Sequence, residues 1–61
     1  MNLNTETVYI HKKKRTSYVI TEFLLVKIGS TWVDGLIYQS LDNNKRYVRT
    51  VANFKEDFET L

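Results

Sequence analysis

The stretch that most constrains this chain runs from Gly35 to Val51, Gly-Leu-Ile-Tyr-Gln-Ser-Leu-Asp-Asn-Asn-Lys-Arg-Tyr-Val-Arg-Thr-Val. Leu36-Ile37-Tyr38 and Tyr47-Val48 are β-branched, aromatic or large apolar residues that fit a pleated, half-buried surface. Between them, Asp42-Asn43-Asn44 supplies side chains that bond their own backbone and tolerate positive φ, which is what a hairpin connection needs. The pattern predicts two antiparallel strands joined by a polar turn.

The rest of the chain reads in the same idiom. Thr7-Val8-Tyr9-Ile10-His11 alternates enough for a first short strand, and residues 1–6, polar and without period, read as a loosely held arm ahead of a single domain at 7–61. His11-Lys12-Lys13-Lys14-Arg15 cannot enter a core, because unpaired buried charge costs several kcal/mol, so it is expected as an exposed turn. From Thr16 to Ile28 the chain is rich in Thr, Tyr, Val, Ile and Phe, lacks the i, i+3, i+4, i+7 apolar spacing of a helix, and is twice a usual strand's length. A strand that bends near Thr21-Glu22 fits best, since a bulge lets one long strand serve two sides of a small barrel. Gly29-Ser30 ends it in a turn, and Trp32 is expected in the loop that follows.

Past the hairpin the pattern changes. Phe54 and Phe58, four apart, suit one helical turn with both rings inward. They equally suit a short turn followed by a closing strand. The preferred reading is a turn at Ala52–Lys55 and a terminal strand near Asp57–Thr60, because an open barrel edge invites aggregation. The fold expected is therefore all-β: a small, partly open barrel of four or five antiparallel strands with a short helical turn near the C-terminus.

At 61 residues the chain allows one domain, which buries only about 60% of the surface its unfolded form exposes. It has no cysteine, so disulfides and thiolate metal sites are excluded, and the core must come from packing. A hydrophobic content of 43%, with one Trp, four Tyr and three Phe, makes such a core feasible. A dimer or another partner could add what the core lacks. The longest apolar run, Phe23 to Val26, falls far short of the roughly 20 residues that span a bilayer. The N-terminal residues lack the charged start and apolar segment of a secretory signal, so the expected location is the cytoplasm.

Tyr9-x-His11-Lys12-Lys13, then Thr16-x-Tyr18-x-Ile20, Val33-Asp34-Gly35-x-Ile37-Tyr38-Gln39-Ser40, Asn44-Lys45-x-Tyr47-Val48-Arg49 and Phe54-Lys55 come in an order that resembles a family of short phage and bacterial proteins of unknown activity. The resemblance covers about residues 8 to 59. It implies a five-stranded SH3-like barrel, often phage-encoded, with no established activity to carry over, and compact phage proteins of this size frequently act by binding a host protein. Where that family usually carries Pro after the hairpin's Arg, this chain has Thr50.

Few residues suggest chemistry. His11 is the sole histidine, with neither a nucleophile nor cysteine ligands to complete a catalytic or zinc site, and its lysine neighbours favour a neutral ring near pH 7. Glu56-Asp57-x-Glu59 lacks the alternation and glycine of a calcium loop, and two isolated glycines make no phosphate-binding loop. The expectation is a non-enzyme with no catalytic residues, no metal site and no cofactor.

Two binding roles are left. Trp, Tyr and Arg dominate interface energies, which makes Trp32, Tyr38, Tyr47 and Arg49 the candidates for contact with a protein partner, a host or phage protein whose system this chain would inhibit or modulate. The alternative is a nucleic-acid binder that grips phosphates with Lys12, Lys13, Lys14, Arg15, Lys45 and Arg46 and stacks bases on Tyr18, Tyr38 or Tyr47. Against it stands a net charge of only +2, nine Lys and Arg balanced by seven Asp and Glu.

Overall fold

A computed structural model describes residues 2–61; Met1, the start of the expected arm, lies outside the described residues. Five strands form a single antiparallel sheet: β1 (Val8–His11), β2 (Ser17–Ile28), β3 (Thr31–Ser40), β4 (Arg46–Thr50) and β5 (Phe58–Thr60). One helix, α1 (Val51–Asp57), joins the last two. The spatial order is β4-β3-β2-β1-β5, so β4 and β5 stand at opposite edges and the sheet curls without closing. This is the partly open all-β barrel that the strand pattern predicts.

The curl starts at the expected bend. The β2–β3 register shifts between Ile20, opposite Tyr38, and Glu22, opposite Ile37, leaving Thr21 bulged with its hydroxyl donating to the Ile37 carbonyl. A bulge bends and twists its strand, and it lets Tyr18 and Ile20 face the interior while the strand runs on beyond it.

Two turns close the sheet at one end, and both are built by the same device. In the β1–β2 turn, the His11 N–H donates to the Thr16 carbonyl and the Arg15 N–H to the His11 carbonyl. In the β3–β4 turn, Ser40 donates to Lys45 and Asn44 donates to Ser40 in the same pattern. Each turn carries a left-handed residue at its fifth position, Arg15 at φ 57° and Asn44 at φ 61°. Each is capped from within by its first residue. His11 Nδ1 accepts from the Lys13 and Lys14 N–H groups, and Ser40 Oγ accepts from those of Asp42 and Asn43. These local bonds satisfy backbone donors that the turn takes out of the ladder.

The segment after β4 resolves in favour of a helix followed by a strand. Thr50 is the N-cap, its hydroxyl accepting from the Asn53 N–H at 3.1 Å, and it starts α1. Phe54 lies on the helix and Phe58 is the first residue of β5. The expected turn at Ala52–Lys55 is thus part of a longer α-helix, and the terminal strand begins at Phe58 rather than Asp57. Spacing of four still brings the rings together, stacked at 4.1 Å between centroids and 5° between planes.

Around that pair the core assembles from Tyr9, Ile20, Leu36 and Tyr38, with Leu3, Tyr18 and Val51 packed at its margin. Tyr9 and Tyr38 meet Phe54 edge-on at 5.3 and 5.4 Å, and Tyr18 meets Phe58 at 5.3 Å. Edge contacts of this kind add about 0.5–1.5 kcal/mol each to the area they bury. The Tyr9 hydroxyl accepts from the Asn4 N–H, which ties the N-terminal residues to the core they flank.

Candidate functional site

Strands β2 and β3 are longer than their neighbours. β1 pairs only with Ser17–Val19 of β2, and β4 reaches only Gly35–Gln39 of β3. Beyond those limits Leu25–Ile28 and Thr31–Asp34 pair with each other alone, across the Gly29-Ser30 turn, and form a two-stranded arm. Gly29 has φ 62°, a value that costs glycine nothing, and this lets the strands reverse over two residues. So tight a turn puts Trp32 inside β3, opposite Lys27, rather than in a loop.

Cross-strand partners share a face, so register assigns the arm's side chains. Phe23, Leu25, Lys27, Trp32 and Asp34 continue the face that carries buried Leu36. Leu24, Val26, Ile28 and Val33 occupy the other. Apolar side chains thus stand on both faces of the hairpin, and Phe23, Leu25, Ile28 and Trp32 are 46%, 57%, 55% and 61% exposed. Gly35 marks the root of the arm. A Cβ there would meet Val26 Cγ2 at 2.3 Å, so Val26 folds over the place a side chain would fill.

Because Thr50 pairs with Gly35, α1 begins beside the free edge of β3. A groove of 590 Å³ lies between arm and helix, lined by Ile28, Val33, Val51 and Ala52, with Asp34 and Lys55 of opposite charge among its lining residues. That volume falls within the 300–1,000 Å³ of ordinary binding sites, and the apolar lining with few polar groups has the composition of one. Sequence reading missed the groove, since it needs residues 51–57 helical and β3 extended through Trp32.

The other residues expected at a protein contact are distributed differently. Tyr38 is 5% exposed and belongs to the core, where its hydroxyl accepts from Arg49 Nε at 2.7 Å. It is therefore a structural residue and not a contact one; alternation on β3 turns its ring inward. Tyr47 stays exposed beside it, ring centroids 5.4 Å apart. Arg49 is tied down as well: its guanidinium donates to Asn53 Oδ1 and to Asp57 Oδ2 and lies over the Phe58 ring, 5.0 Å from the centroid. Its job is to hold β4, α1 and β5 together. Trp32 is far from this cluster in register, so the four do not form one patch.

Near Arg49, His11 is buried, with its ring edge-on to Phe58 at 5.0 Å. Burial pushes the imidazole below its ordinary pKa of 6.5, and Arg49, Lys14 and Lys13 push the same way against a smaller upward pull from Asp57. A neutral ring is what the turn requires, because Nδ1 must accept two N–H groups. Among the described residues no group of three or more Asp, Glu or His side chains could hold a metal ion.

Lys12–Arg15 and Lys45 lie in the β1–β2 and β3–β4 turns, and Arg46 opens β4; the Leu41 N–H donates to the Ser17 carbonyl and brings the two turns to one end of the barrel. Acidic groups interleave with them. Arg15 pairs with Glu59 at 2.6 Å, and Asp42 shares a depression with Arg15. Of the rings expected to stack bases, Tyr18 and Tyr38 pack against the core and Tyr47 is exposed. Among the described residues no helix is long and apolar enough to cross a membrane. Compared with models of protein families, with curated proteins and with solved structures, the chain finds no match.

Proposed function

We propose that this is a non-enzymatic binding protein that works by occupying the surface of another protein, with the β2–β3 arm as its contact element and Trp32 as the anchor. The supporting observation is the concentration of exposed large apolar side chains on the arm, Trp32 above all, beside the apolar groove against α1. Contiguous apolar surface on a soluble protein marks an interaction site, and tryptophan seated in a partner's pocket is the commonest energetic anchor. The partner this suits is a protein with an apolar cleft able to take the indole. The sequence motifs shared with short phage proteins support a phage-encoded protein that modulates a host system from the cytoplasm.

Affinity capture with the intact chain tests the reading. A specific protein retained by the wild-type chain and lost with Trp32→Ala, while Lys13→Ala keeps it, is the expected result. Retention unchanged by Trp32→Ala overturns the assignment.

A second reading rests on the meeting of two basic turns at one end of the barrel. If the chain grips phosphates there, affinity for short single-stranded DNA or RNA falls steeply with added salt. No binding at low salt removes that reading.

A further inference from the structure

Two polar side chains of the body have donors that the fold leaves over. His11 is 9% exposed, and its Nδ1 accepts from the Lys13 and Lys14 N–H groups, which places the ring proton on Nε2. Arg49 commits Nε to the Tyr38 hydroxyl and Nη1 to Asn53 and Asp57, so both hydrogens of Nη2 stay available. Neither His11 Nε2 nor Arg49 Nη2 has a hydrogen-bond partner among the described residues, yet no buried side-chain nitrogen or oxygen there lacks one. Both donors must therefore open to the surface.

The place where they open is a depression of about 430 Å³, lined by these two residues, by Lys12, Lys13 and Lys14, and by Glu56 and Asp57. His11 and Arg49 stand on different strands, β1 and β4, but both pack on the Phe58 ring: the His11 ring centroid and Arg49 Cζ are each 5.0 Å from its centre. Arg49 is also the charge that acts most strongly on the imidazole, as a near neighbour would. Rigidity sets this pair apart from ordinary surface cations. The imidazole is fixed by two backbone bonds and an aromatic contact, the guanidinium by Tyr38, Asn53 and Asp57, so a ligand finds them already in place. Lys12, Lys13 and Lys14 are exposed and bring mobile charge to the rim. With the imidazole neutral, the lining holds four cations against the two carboxylates, a surplus that matches a dianion.

We propose that this depression binds a terminal phosphate, free or as a phosphomonoester, with His11 Nε2 and Arg49 Nη2 as fixed donors and the Lys12–Lys14 run closing over it. Charge and shape select the ligand. A terminal phosphate carries nearly two negative charges at pH 7 and has three oxygens that can accept from both strands at once. The diester of a nucleic-acid backbone carries one charge and would bring its neighbouring phosphates toward Glu56 and Asp57. The inference goes beyond the proposed function: it uses neither the arm nor Trp32, and it shares only Lys12–Lys14 with the nucleic-acid reading.

A ligand this small binds weakly, with a dissociation constant on the order of 1 mM. Titration of the full chain with inorganic phosphate, ionic strength held constant with chloride, should give saturable NMR shifts of the His11 ring protons and of the Lys13 and Lys14 amides. His11→Ser removes the Nε2 donor while keeping a cap on the turn, and should weaken binding roughly tenfold, the contribution of one hydrogen bond to a charged group. Lys13→Glu combined with Lys14→Glu alters only exposed side chains and should abolish saturation. Lys45→Ala, in the other turn, should bind as the wild type does. Phenyl phosphate should bind like inorganic phosphate, and dimethyl phosphate, a diester, at least about tenfold more weakly. Shifts that do not saturate by about 20 mM phosphate, equal binding of the diester, full affinity in His11→Ser, or an equal loss in Lys45→Ala each overturns the proposal. Capture of a protein through Trp32 is independent of all four results.

Discussion

The barrel body and the projecting arm are made from the same two strands, yet they obey opposite rules. In the body, Leu36 and Ile20 are within 1% of full burial; a few residues further along the same strands, Leu25 and Trp32 are more than half exposed. The difference is what lies alongside. β1, β4, α1 and β5 all pack on the body, and Phe54 and Phe58 seal it, whereas among the described residues the arm is a two-stranded ladder with only the start of α1 beside one edge. Apolar residues in the body therefore stabilise the fold, and those in the arm are available to something outside it.

Substitution of one ring in each region puts the sharpest strain on that contrast. Phe54→Ala removes a fully buried ring that stacks on Phe58, at a cost of about 3–5 kcal/mol. A single small core rarely supplies more than about 3–5 kcal/mol in total, so this variant should be largely unfolded at 25 °C by circular dichroism. Trp32→Ala, a larger truncation by volume, should move the urea midpoint by no more than about 0.5 kcal/mol of stability. Equal costs at the two sites would mean that the arm is packed against something and that the division is false.

The junction between the regions comes next. Gly35→Ala forces a methyl into Val26 Cγ2 and to 3.2 Å from the Arg49 carbonyl oxygen. Overpacking of this kind costs about 1–3 kcal/mol. The remedy is as specific as the damage: adding Val26→Ala should recover part of the loss, giving less than the sum of the two single effects in a urea-unfolding cycle. Strict additivity would show that the arm does not bear on the body at this point.

The body was the more legible half of the sequence. Alternation, the polar turns and the bend at Thr21 follow from local residue chemistry, and local rules predict them well. The arm was legible only in part, because its strand pattern gives no sign of where β1 and β4 stop pairing; that depends on how far each neighbour extends. Trp32 looked like a loop residue for the same reason, since a two-residue turn at Gly29-Ser30 was not distinguishable from a longer one. Tyr38 and Arg49 carry interface chemistry by type, but α1 and β5 draw them inward, and one ring four residues after another does not say whether a helix ends between them. The capping role of Ser40 has a signal in the sequence, an acceptor side chain four residues before Asn44, a type that tolerates positive φ, whereas Arg15 gives no such sign for His11.

The smallest expected effect separates the regions by pH. His11 caps the β1–β2 turn of the body, and the arm contains no histidine. Burial and the positive charges of Arg49, Lys14 and Lys13 outweigh Asp57, so the folded pKa lies below 6.5 and the unfolded chain binds the proton more readily. Stability is then complete above about pH 6.5, the unfolded value, and declines as pH falls through the folded one. Urea midpoints between pH 7.5 and 5.5, above the range where carboxylates titrate, should fall for the wild type. His11→Ser, which installs in this turn the cap that Ser40 provides in the other, should be weaker at pH 7.5 for lack of the Phe58 contact yet flat across the same window. Hydrogen exchange should show acid loosening the amides of Lys13 and Lys14 ahead of those in the arm. A wild-type slope that survives in His11→Ser would place the sensitivity elsewhere and leave the two regions equally indifferent to pH.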